Sequence, residues 1–531
     1  MKLTPSSIKA MTERFSSLKS RRGNWESYWS SLAAYVIPAE DEIYTFLNRT
    51  HGAEKNLRMY DSSAAHYNEL LASALHSMLT NPATNWFELT TGDRKLDADD
   101  DVKDHLQEVS DIIHNSINNS NFHTEAHTYY LGLGSFGTSF MHIMEDDEDD
   151  VRFKTRQIFG AYVDSNHKGF IDTAYIPYKM SHRNMLAKFG EDAFTTDQAR
   201  RLNKEPNEKT TILMVITPRG DIDIAKKDAK NMAFAGYYIW ESEDHLMKET
   251  GFREQPFVCS RWALATDEDY GRSPAMKTLP DNRMIQQIMK TTIRGAQKIV
   301  DPPLLVPDDS VMSPNTTPGG LNSFRAGTED FIRPLQTGGQ PGLGLEIMTD
   351  IRSRIKQGFF IDQLQLPEGP QKTATEVNAI LQEQLRLFGP VLGRQENEFL
   401  KVLINRVLGI LKRKGKLPTE IPEALQGKNL SVRFSSQIAK AQRLAEAQSV
   451  DAFLGGIANV AQFKPQVLDY IDEAGYVEFS ASAHNVPSSI LRKKKEVEAI
   501  QKAQAEQGEK QQALQEGQQE VDIAATAAKT A

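Results

Sequence analysis

The stretch LPDNRMIQQIMKTTIRGAQKIVDPP, residues 279–303, predicts a long helix with an abrupt end. About 20 helical residues from Leu279 to Val300 would measure roughly 30 Å. Asp301-Pro-Pro303 should end the helix, because proline lacks an amide donor and restrains the residue before it. Residues 302–344 are rich in proline and glycine, and a second helix is predicted from Leu345 to Phe360. The pattern indicates two helices flanking an irregular tip, which is not the layout of an enzyme pocket.

The first of these helices carries four basic residues and no acidic residue between Asn282 and Val300. Arg283, Lys290, Arg294 and Lys298, here called the basic stripe, fall within about 80° of one another at ~100° per residue. A solvated face is one interpretation. The other is a surface facing a polyanion, which requires the helix to line something.

The chain after the second helix is again mostly helical. Residues 362–372 (DQLQLPEGPQK) read as a loop because they contain two prolines and a glycine. The capping-box spacing of Thr373 and Glu376 predicts that a long helix starts there, continues to about Lys414 and kinks at Pro390. Residues 436–486 are helical in pattern, with core candidates that include Phe453 and Phe463. Residues 487–531 are rich in Gln and Ala, so they form a solvated helix or are disordered.

The part before residue 279 is predicted to be an α+β body in a chain that is helical overall. Helices are expected from Lys9 to Leu79, with Asp61 or Ser62 as an N-cap, and from Val102 to Leu133. Short strands follow, because β-branched and aromatic residues become frequent. The predicted strands are Arg152–Ile158, Phe170–Ile176, Thr211–Thr217, Gly236–Glu241 and Phe257–Ala263.

Composition narrows the class of protein further. A length of 531 residues suggests two to four domains. The single cysteine, Cys259, excludes an intrachain disulfide and fits a reducing cytosol. The N-terminus lacks the apolar core of a signal peptide, and no stretch is apolar enough to suggest a membrane span. The formal net charge of -9 argues against tight wrapping of DNA, whereas DNA could slide past such a surface.

Apparent catalytic motifs have simpler explanations. Gly132-Leu-Gly-Ser-Phe-Gly137 has dinucleotide-fingerprint spacing but follows a helical pattern, so a helix-to-strand turn is expected. His123 and His127 lack a third metal ligand and indicate a surface or packing pair. The acidic run Glu145–Asp150 lacks calcium-loop spacing and is expected to be a solvated hairpin or loop. The sequence has no Walker-type phosphate loop. We expect no enzymatic activity, no cofactor and no metal.

Several motifs, taken in order, resemble the portal (head-to-tail connector) proteins of short-tailed bacteriophages of the T7-like kind. The resemblance covers roughly Arg14 to Ala447 and rests on order and spacing rather than on one motif. The matching motifs are Trp25…Trp29…Tyr35-Val-Ile-Pro38, Tyr60-Asp61-Ser62, Leu79-Thr-Asn-Pro82…Trp86-Phe87, Gly134-Ser-Phe-Gly-Thr138, Arg261-Trp262, Tyr270-Gly-Arg-Ser-Pro274, Asp301-Pro-Pro-Leu304 and Thr373-Ala-Thr-Glu-Val377.

The resemblance implies the phage portal fold, assembled as a dodecameric ring at the capsid portal vertex of the virion after assembly in the host cytoplasm. Double-stranded DNA would pass through its channel, with terminase, scaffolding protein, major capsid protein and tail adaptor proteins as partners and no membrane. The implied domains are a wing or body (1–278), stem helices (279–301 and 345–361), a clip (302–344), a tunnel loop (362–372), a long kinked wing helix and return (373–435), a crown (436–486) and a tail (487–531).

The resemblance also implies that Gln363, Gln365 and Lys372 of the tunnel loop contact DNA. The basic stripe would face either the channel or acidic groups of an adjacent subunit, such as Glu346 and Asp350. A different oligomeric head-tail adaptor without a DNA-gating role is the alternative function. The order of helix, tip, helix and loop favours the portal, because an adaptor does not need that sequence of elements.

Overall fold

The computed structural model describes residues 5–50, 52–55, 59–97, 99–220, 222–223, 226, 228–307, 315, 317–324, 333–334, 341–364, 388–428, 430–434, 437–461, 463–484 and 486, with a few positions between 492 and 503. These residues belong to two compact units, one from residues 1–85 and 113–416 and one from 86–112 and 417–531. The helices are α1 Pro5–Arg21, α2 Gly23–Val36, α3 Ser63–Leu79, α4 Arg94–Asp97, α5 Asp100–Asn118, α6 Phe122–Phe136, α7 His182–Phe189, α8 Thr196–Lys204, α9 Pro274–Val300, α10 Pro341–Gly358, α11 Ile361–Leu364, α12 388–395, α13 Lys401–Arg413, α14 Gln437–Ala461 and α15 Glu473–Ala483. The strands are β1 Phe87–Thr90, β2 Thr138–Asp146, β3 Asp150–Gln157, β4 Tyr162–Ser165, β5 Ile171–Ser181, β6 Lys209–Pro218, β7 Phe234–Trp240, β8 His245–Phe252, β9 Phe257–Arg261, β10 Leu304–Pro307, β11 Leu321–Phe324, β12 Arg333–Pro334 and β13 Ser431–Phe434.

The first unit contains a five-stranded antiparallel sheet in the order β4-β5-β6-β7-β8. Its strands alternate large apolar residues between two faces, as a sheet buried on both sides requires. Helix α1 covers one face through Phe15 and Leu18. Helices α7 and α8 cover the other, where Met185 and Leu202 pack on Trp240. The strands predicted in this region are confirmed, and β4 and β8 were not predicted.

A second sheet of the same unit has the antiparallel order β3-β2-β9. Helix α6 packs against β2 and β3, and its Tyr129 donates a hydrogen bond to Ser260 Oγ on β9 at 2.7 Å. The sequence predicted β3 and β9 but not the central strand β2. Together with the helices, the two sheets confirm the expected α+β architecture.

A buried arginine joins the N-terminal helices to the sheets. Arg22 is 1% exposed and donates to the backbone carbonyls of Ile158, Phe159 and Ala161 at 2.7–3.2 Å. Its guanidinium also lies 3.3 Å from the centroid of the Tyr162 ring. Carbonyl oxygens and an aromatic face supply the partial negative charge that a buried cation needs.

Helix α9 begins five residues before the predicted start at Leu279. Ser273 is the N-cap, with its hydroxyl accepting from the Met276 amide at 3.0 Å, and Pro274 occupies the first turn. Pro280 then lies inside the helix and cannot donate to the Met276 carbonyl. The hydroxyl of Tyr28 donates to that carbonyl instead, at 3.1 Å. The end at Val300 is as predicted.

The returning helix α10 begins at Pro341 and ends at Gly358, four residues earlier at its start than predicted. In the described part of the preceding tip, β10 pairs in parallel with β11 and antiparallel with β12. The expectation of irregular backbone is therefore wrong for these strands. Leu304 and Leu305 supply the central pairings that proline and glycine content had obscured.

The long helix after the predicted loop is described from residue 388 onward. Residues 365–387 lie outside the described residues, and with them the Thr373–Glu376 capping box. Pro390 lies in α12, but Arg386, whose carbonyl would lose its helical donor, lies outside them, so the kink stays a prediction. A π-helical turn, Glu396–Leu400, separates α12 from α13. The predicted core positions Phe388, Phe399 and Val407 are buried.

The second unit contains a two-stranded antiparallel sheet, β1 with β13, and helices α14 and α15. Two of its predicted core residues are exposed instead, Phe453 at 64% and Phe463 at 87%. Phe453 lies in α14, as its apolar spacing predicted, whereas Phe463 lies in a turn after that helix. Within the described parts of both units, no helix combines the length and the apolar character needed to cross a bilayer.

Candidate functional site: the charged helical hairpin

Helices α9 and α10 pack as a close antiparallel hairpin. Gly344 lies against Thr292, where an added Cβ would stand 2.5 Å from the threonine hydroxyl. At the other end of the hairpin, Gly358 lies against Thr278 in the same way. The two glycines bring the helix backbones together, so the charged side chains must lie on the outer surfaces of the pair.

The cations of α10 are neutralised within the chain. Arg352 pairs with Asp61 at 2.7 Å, Arg354 pairs with Asp281 at 3.3 Å and Lys356 pairs with Asp362 at 2.8 Å. Arg354 also contacts Asp350, one helical turn earlier, at 3.4 Å. These cations bind the hairpin to itself and to α3.

The basic stripe on α9 behaves differently. Among the described residues, none of its four members forms an ion pair. Arg283 and Arg294 are exposed, and Lys290 and Lys298 are half-buried. The one specific contact is Lys290 Nζ, 5.8 Å from the centroid of the Tyr60 ring. Within the described part of one copy no carboxylate pairs with the stripe, and Asp350 pairs with Arg354 instead.

A buried polar network fixes the hairpin to the start of α3. Gln286 Oε1 accepts from the amides of Tyr60 and Asp61 at 2.6 and 2.9 Å, and its Nε2 donates to the Asp61 carbonyl at 2.7 Å. The Asp61 carboxylate accepts from the Ser63 amide at 2.9 Å and from Arg352 at 2.7 and 2.9 Å. Asp61 was predicted as a helix cap, whereas Gln286 and Arg352 were missed because their partners are far away in sequence.

Removing the Asp61 carboxylate should destabilise the hairpin. Asp61 is 5% exposed, so Asp61→Ala leaves the Ser63 amide and Arg352 without their acceptor, at a cost of about 1–3 kcal/mol. Burial alone would raise the pKa of Asp61, but the Ser63 hydrogen bonds and Arg352 hold that pKa below its usual value. The stabilisation is therefore complete at neutral pH and is lost as the pH falls below about 4.

Urea unfolding at pH 7 and at pH 3 measures this effect. The difference between wild type and Asp61→Ala should shrink at pH 3, while the exposed carboxylate variant Asp192→Ala should match wild type at both. An equal loss of stability at both pH values would show that the charge of Asp61 plays no part.

The predicted loop that follows α10 is described only at its beginning. Gln363 lies in the short helix α11, half-buried, with a buried Oε1 that has no hydrogen-bond partner among the described residues. Gln365 and Lys372 lie outside the described residues. The predicted contacts of all three with DNA remain predictions.

The apparent catalytic motifs have structural roles. Gly137 ends α6 in the left-handed region, at φ 77°, and is followed directly by β2, which confirms the helix-to-strand turn. His123 Nδ1 lies 3.2 Å from His76 Nε2, and its own Nε2 lies 2.9 Å from Asn118 Oδ1. Within the described residues no group of three metal-ligating side chains occurs.

The acidic run forms the turn of the β2–β3 hairpin, as expected, but it is solvated only in part. Glu145 pairs with Arg406 and Arg413, and Asp150 pairs with Lys414 and Lys416. These ion pairs attach the hairpin to the end of α13. These ion pairs could not be predicted from local sequence because the partners are more than 250 residues apart.

The fold is an α+β body joined to a helical hairpin whose basic face forms no ion pair among the described residues. The family model described as "Bacteriophage head to tail connecting protein" matches residues 8–491. The chain belongs to this family of phage head-to-tail connecting, or portal, proteins, which are located at the portal vertex of the virion capsid. The predicted resemblance is confirmed.

Two relatives cover nearly the whole chain. The "Probable portal protein" of Bordetella phage BPP-1 is 32% identical over 523 residues, covering 96% of this chain and 92% of its own. The "Portal protein" of Salmonella phage epsilon15 is 28% identical over 531 residues, covering 98% and 95%.

Among solved structures, a chain from the neck of an empty gene transfer agent particle covers 82% of this chain and 98% of its own, with a TM-score of 0.34 and 9% identity. A chain from the virion of a native gene transfer agent covers 79% and 94%, with a TM-score of 0.31 and 9% identity.

Proposed function

We propose that the chain assembles into a closed ring, twelvefold as in the resembled portals, whose axial channel passes double-stranded DNA during packaging and ejection. The ring would dock a separate terminase motor and later the tail adaptor proteins, and would contact scaffolding and major capsid proteins. The observation that carries the proposal is the basic stripe, because the cations of α10 are paired with described carboxylates and the four cations of the stripe are not.

In this proposal α9 and α10 are the stem, and the small sheet β10–β12 belongs to the clip. The segment that begins at Asp362 is the tunnel loop, and the second unit contributes the crown. Arg283, Lys290, Arg294 and Lys298 would form stacked rings of positive charge along the bore. Phosphate contacts of this kind carry no base information, so they would slow slippage of DNA of any sequence.

The exposed apolar side chains of the second unit also favour assembly. Phe453, Tyr470 and Phe479 line an apolar groove of about 330 Å³ between α14 and α15. Tyr470 is 91% exposed in the single chain. Surfaces of this kind are usually covered by another protein.

Electron microscopy of the purified chain tests the assembly. We expect closed rings in axial views, with an open centre and a subunit count that class averages can give directly. A protein that stays monomeric at high concentration and shows no rings would overturn the proposal. Light scattering of the same sample, read as mass per particle, provides the independent check.

A further inference from the structure

A second cluster of cations lies on the body, away from the helical hairpin. Arg156 on β3 lies with its guanidinium carbon 5.8 Å from the centroid of the Tyr178 ring. Lys188 Nζ on α7 lies 5.8 Å from the same centroid and 4.7 Å from that of Tyr238, and Lys248 is the cross-strand partner of Tyr238. We call Arg156, Tyr178, Lys188 and Lys248, with the neighbouring His142, the basic pocket.

The basic pocket has no counter-charge within the described part of the chain. None of its three cations forms an ion pair there. The pKa of Arg156 is lowered by burial, and that of Lys188 is lowered by burial and then by Lys248, with no carboxylate acting on either. Arg406 also lies near His142, but unlike the three cations of the pocket it forms an ion pair, with Glu254 at 2.9 Å.

Two polar atoms of the basic pocket are buried without a partner. The Tyr178 hydroxyl and His142 Nε2 form no hydrogen bond in the described structure. Burial, and then the charge of Arg156, lowers the pKa of His142 to about 3, so its ring is neutral. A buried polar group without a partner costs about 1–3 kcal/mol. An oxyanion bound beside the Tyr178 ring would accept from Arg156 and Lys188 together.

The same chain presents the complementary group at the tip of the β2–β3 hairpin. Asp147, Glu148 and Asp149 are exposed and form no ion pair among the described residues. The tip is held in shape, because the amides of Glu148 and Asp149 both donate to Asp146 Oδ1, at 3.0 and 3.1 Å. The carboxylates at the base of the hairpin are already paired, so only the tip is available.

The tip cannot reach the basic pocket of its own copy. Arg156 of the pocket lies on the same hairpin as the tip, and the six-residue step along β3 from Asp150 to Arg156 spans about 20 Å. A tip and a pocket at different positions on one subunit are what a head-to-tail ring requires, since each copy then gives one and receives one. We propose that the basic pocket binds a carboxylate from the Asp147–Asp149 tip of a neighbouring copy. This inference rests on the proposed ring.

A carboxylate on a protein fits the basic pocket better than the phosphates of a DNA duplex. Arg156 is half-buried, so a single side chain on a narrow turn fits against it better than a rigid duplex does. A duplex would contact only the exposed Lys188 and Lys248. DNA binding at this cluster is therefore the competing outcome of the test.

Site-specific crosslinking tests the contact in assembled rings. The variant Glu148→Cys with Lys188→Cys, treated with a short bis-maleimide, should give a ladder of covalent oligomers on a denaturing gel. The native Cys259 is buried and should not react. Each single variant is a matched control and should give no ladder. Rings of the double variant that assemble but do not crosslink would overturn the inference, whereas absence of rings from wild type would overturn the proposed function instead.

Charge-reversal variants provide a second test of the contact. Replacing Asp147, Glu148 and Asp149 by Lys should lower the salt concentration at which rings dissociate, because like charges then face each other. Adding Arg156→Glu and Lys188→Glu to that variant should restore the stability of the rings toward salt, because opposite charges then face each other again. If Lys188→Glu weakens binding of a short DNA duplex to rings and leaves their salt stability unchanged, the pocket is a DNA contact and the inference is wrong.

Discussion

Replacing the four residues of the basic stripe by glutamine is expected to leave rings intact and to produce heads that retain DNA poorly. The four side chains make no ion pair within the described chain, and two of them are exposed, so their loss should cost little stability. If one subunit contacts four phosphates, affinity should fall ~100-fold between 50 and 200 mM salt. The variant should lose most of that salt dependence.

The measurement is the fraction of DNA-filled heads, together with DNA release from them as ionic strength rises. A control with the same change in net charge replaces Arg183, Lys204, Lys209 and Lys230 by glutamine, all of which are exposed on the body. This control should package and retain DNA normally. Failure of the stripe variant to form rings would instead assign the stripe to the subunit interface, facing groups such as Glu346 and Asp350 of a neighbour.

Periodicity in the sequence predicted most elements, because alternation and helical spacing are local signals. The strands of the five-stranded sheet illustrate this, since their runs of β-branched and aromatic residues are typical of β-strands. The start of α9 was missed for an equally physical reason. Pro280 lies inside α9, where a proline normally interrupts a helix, and the distant Tyr28 hydroxyl supplies the donor that the Met276 carbonyl would otherwise lack.

Residue spacing alone predicts the charged face of the helix, but it does not predict whether the charges on that face are paired. Local sequence places Arg283 and Lys290 on one side of α9, yet whether a cation is neutralised depends on three-dimensional neighbours. Arg352 and Arg354 look no different in sequence from the stripe, and both are paired. The exposure of Phe453 has a similar origin, because apolar spacing does not say whether the covering surface belongs to the same chain.

The largest loss of stability is expected at Glu398, a residue that no sequence motif singled out. Strand β9 lies at the edge of its sheet, so the amide and carbonyl of Arg261 have no strand partner there. Glu398 Oε2 accepts from that amide at 3.0 Å, and Gln395 Nε2 donates to that carbonyl at 3.0 Å. Side chains on either side of the start of the π-helical turn thus replace a missing strand.

The same carboxylate neutralises a buried cation. Arg261 is 4% exposed, and its guanidinium contacts Glu398 at 2.8 Å and donates to the Gly169 carbonyl at 2.8 Å. The pair joins positions 137 residues apart, which explains why the motif Arg261-Trp262 was noticed without its partner. It also fixes α12, the helix that follows the segment we propose to reach the channel.

Glu398→Ala should therefore cost about 3–5 kcal/mol, because it leaves the Arg261 guanidinium buried and unpaired. Thermal and urea unfolding measure the loss. The matched control is Glu243→Ala, which breaks the more exposed pair with Arg201 and should cost about 1 kcal/mol or less. Adding Arg261→Leu to Glu398→Leu should recover much of the stability, since removing both charges also removes the desolvation cost. If Glu398→Ala is no more destabilising than Glu243→Ala, the pair does not fix α12 to the sheet.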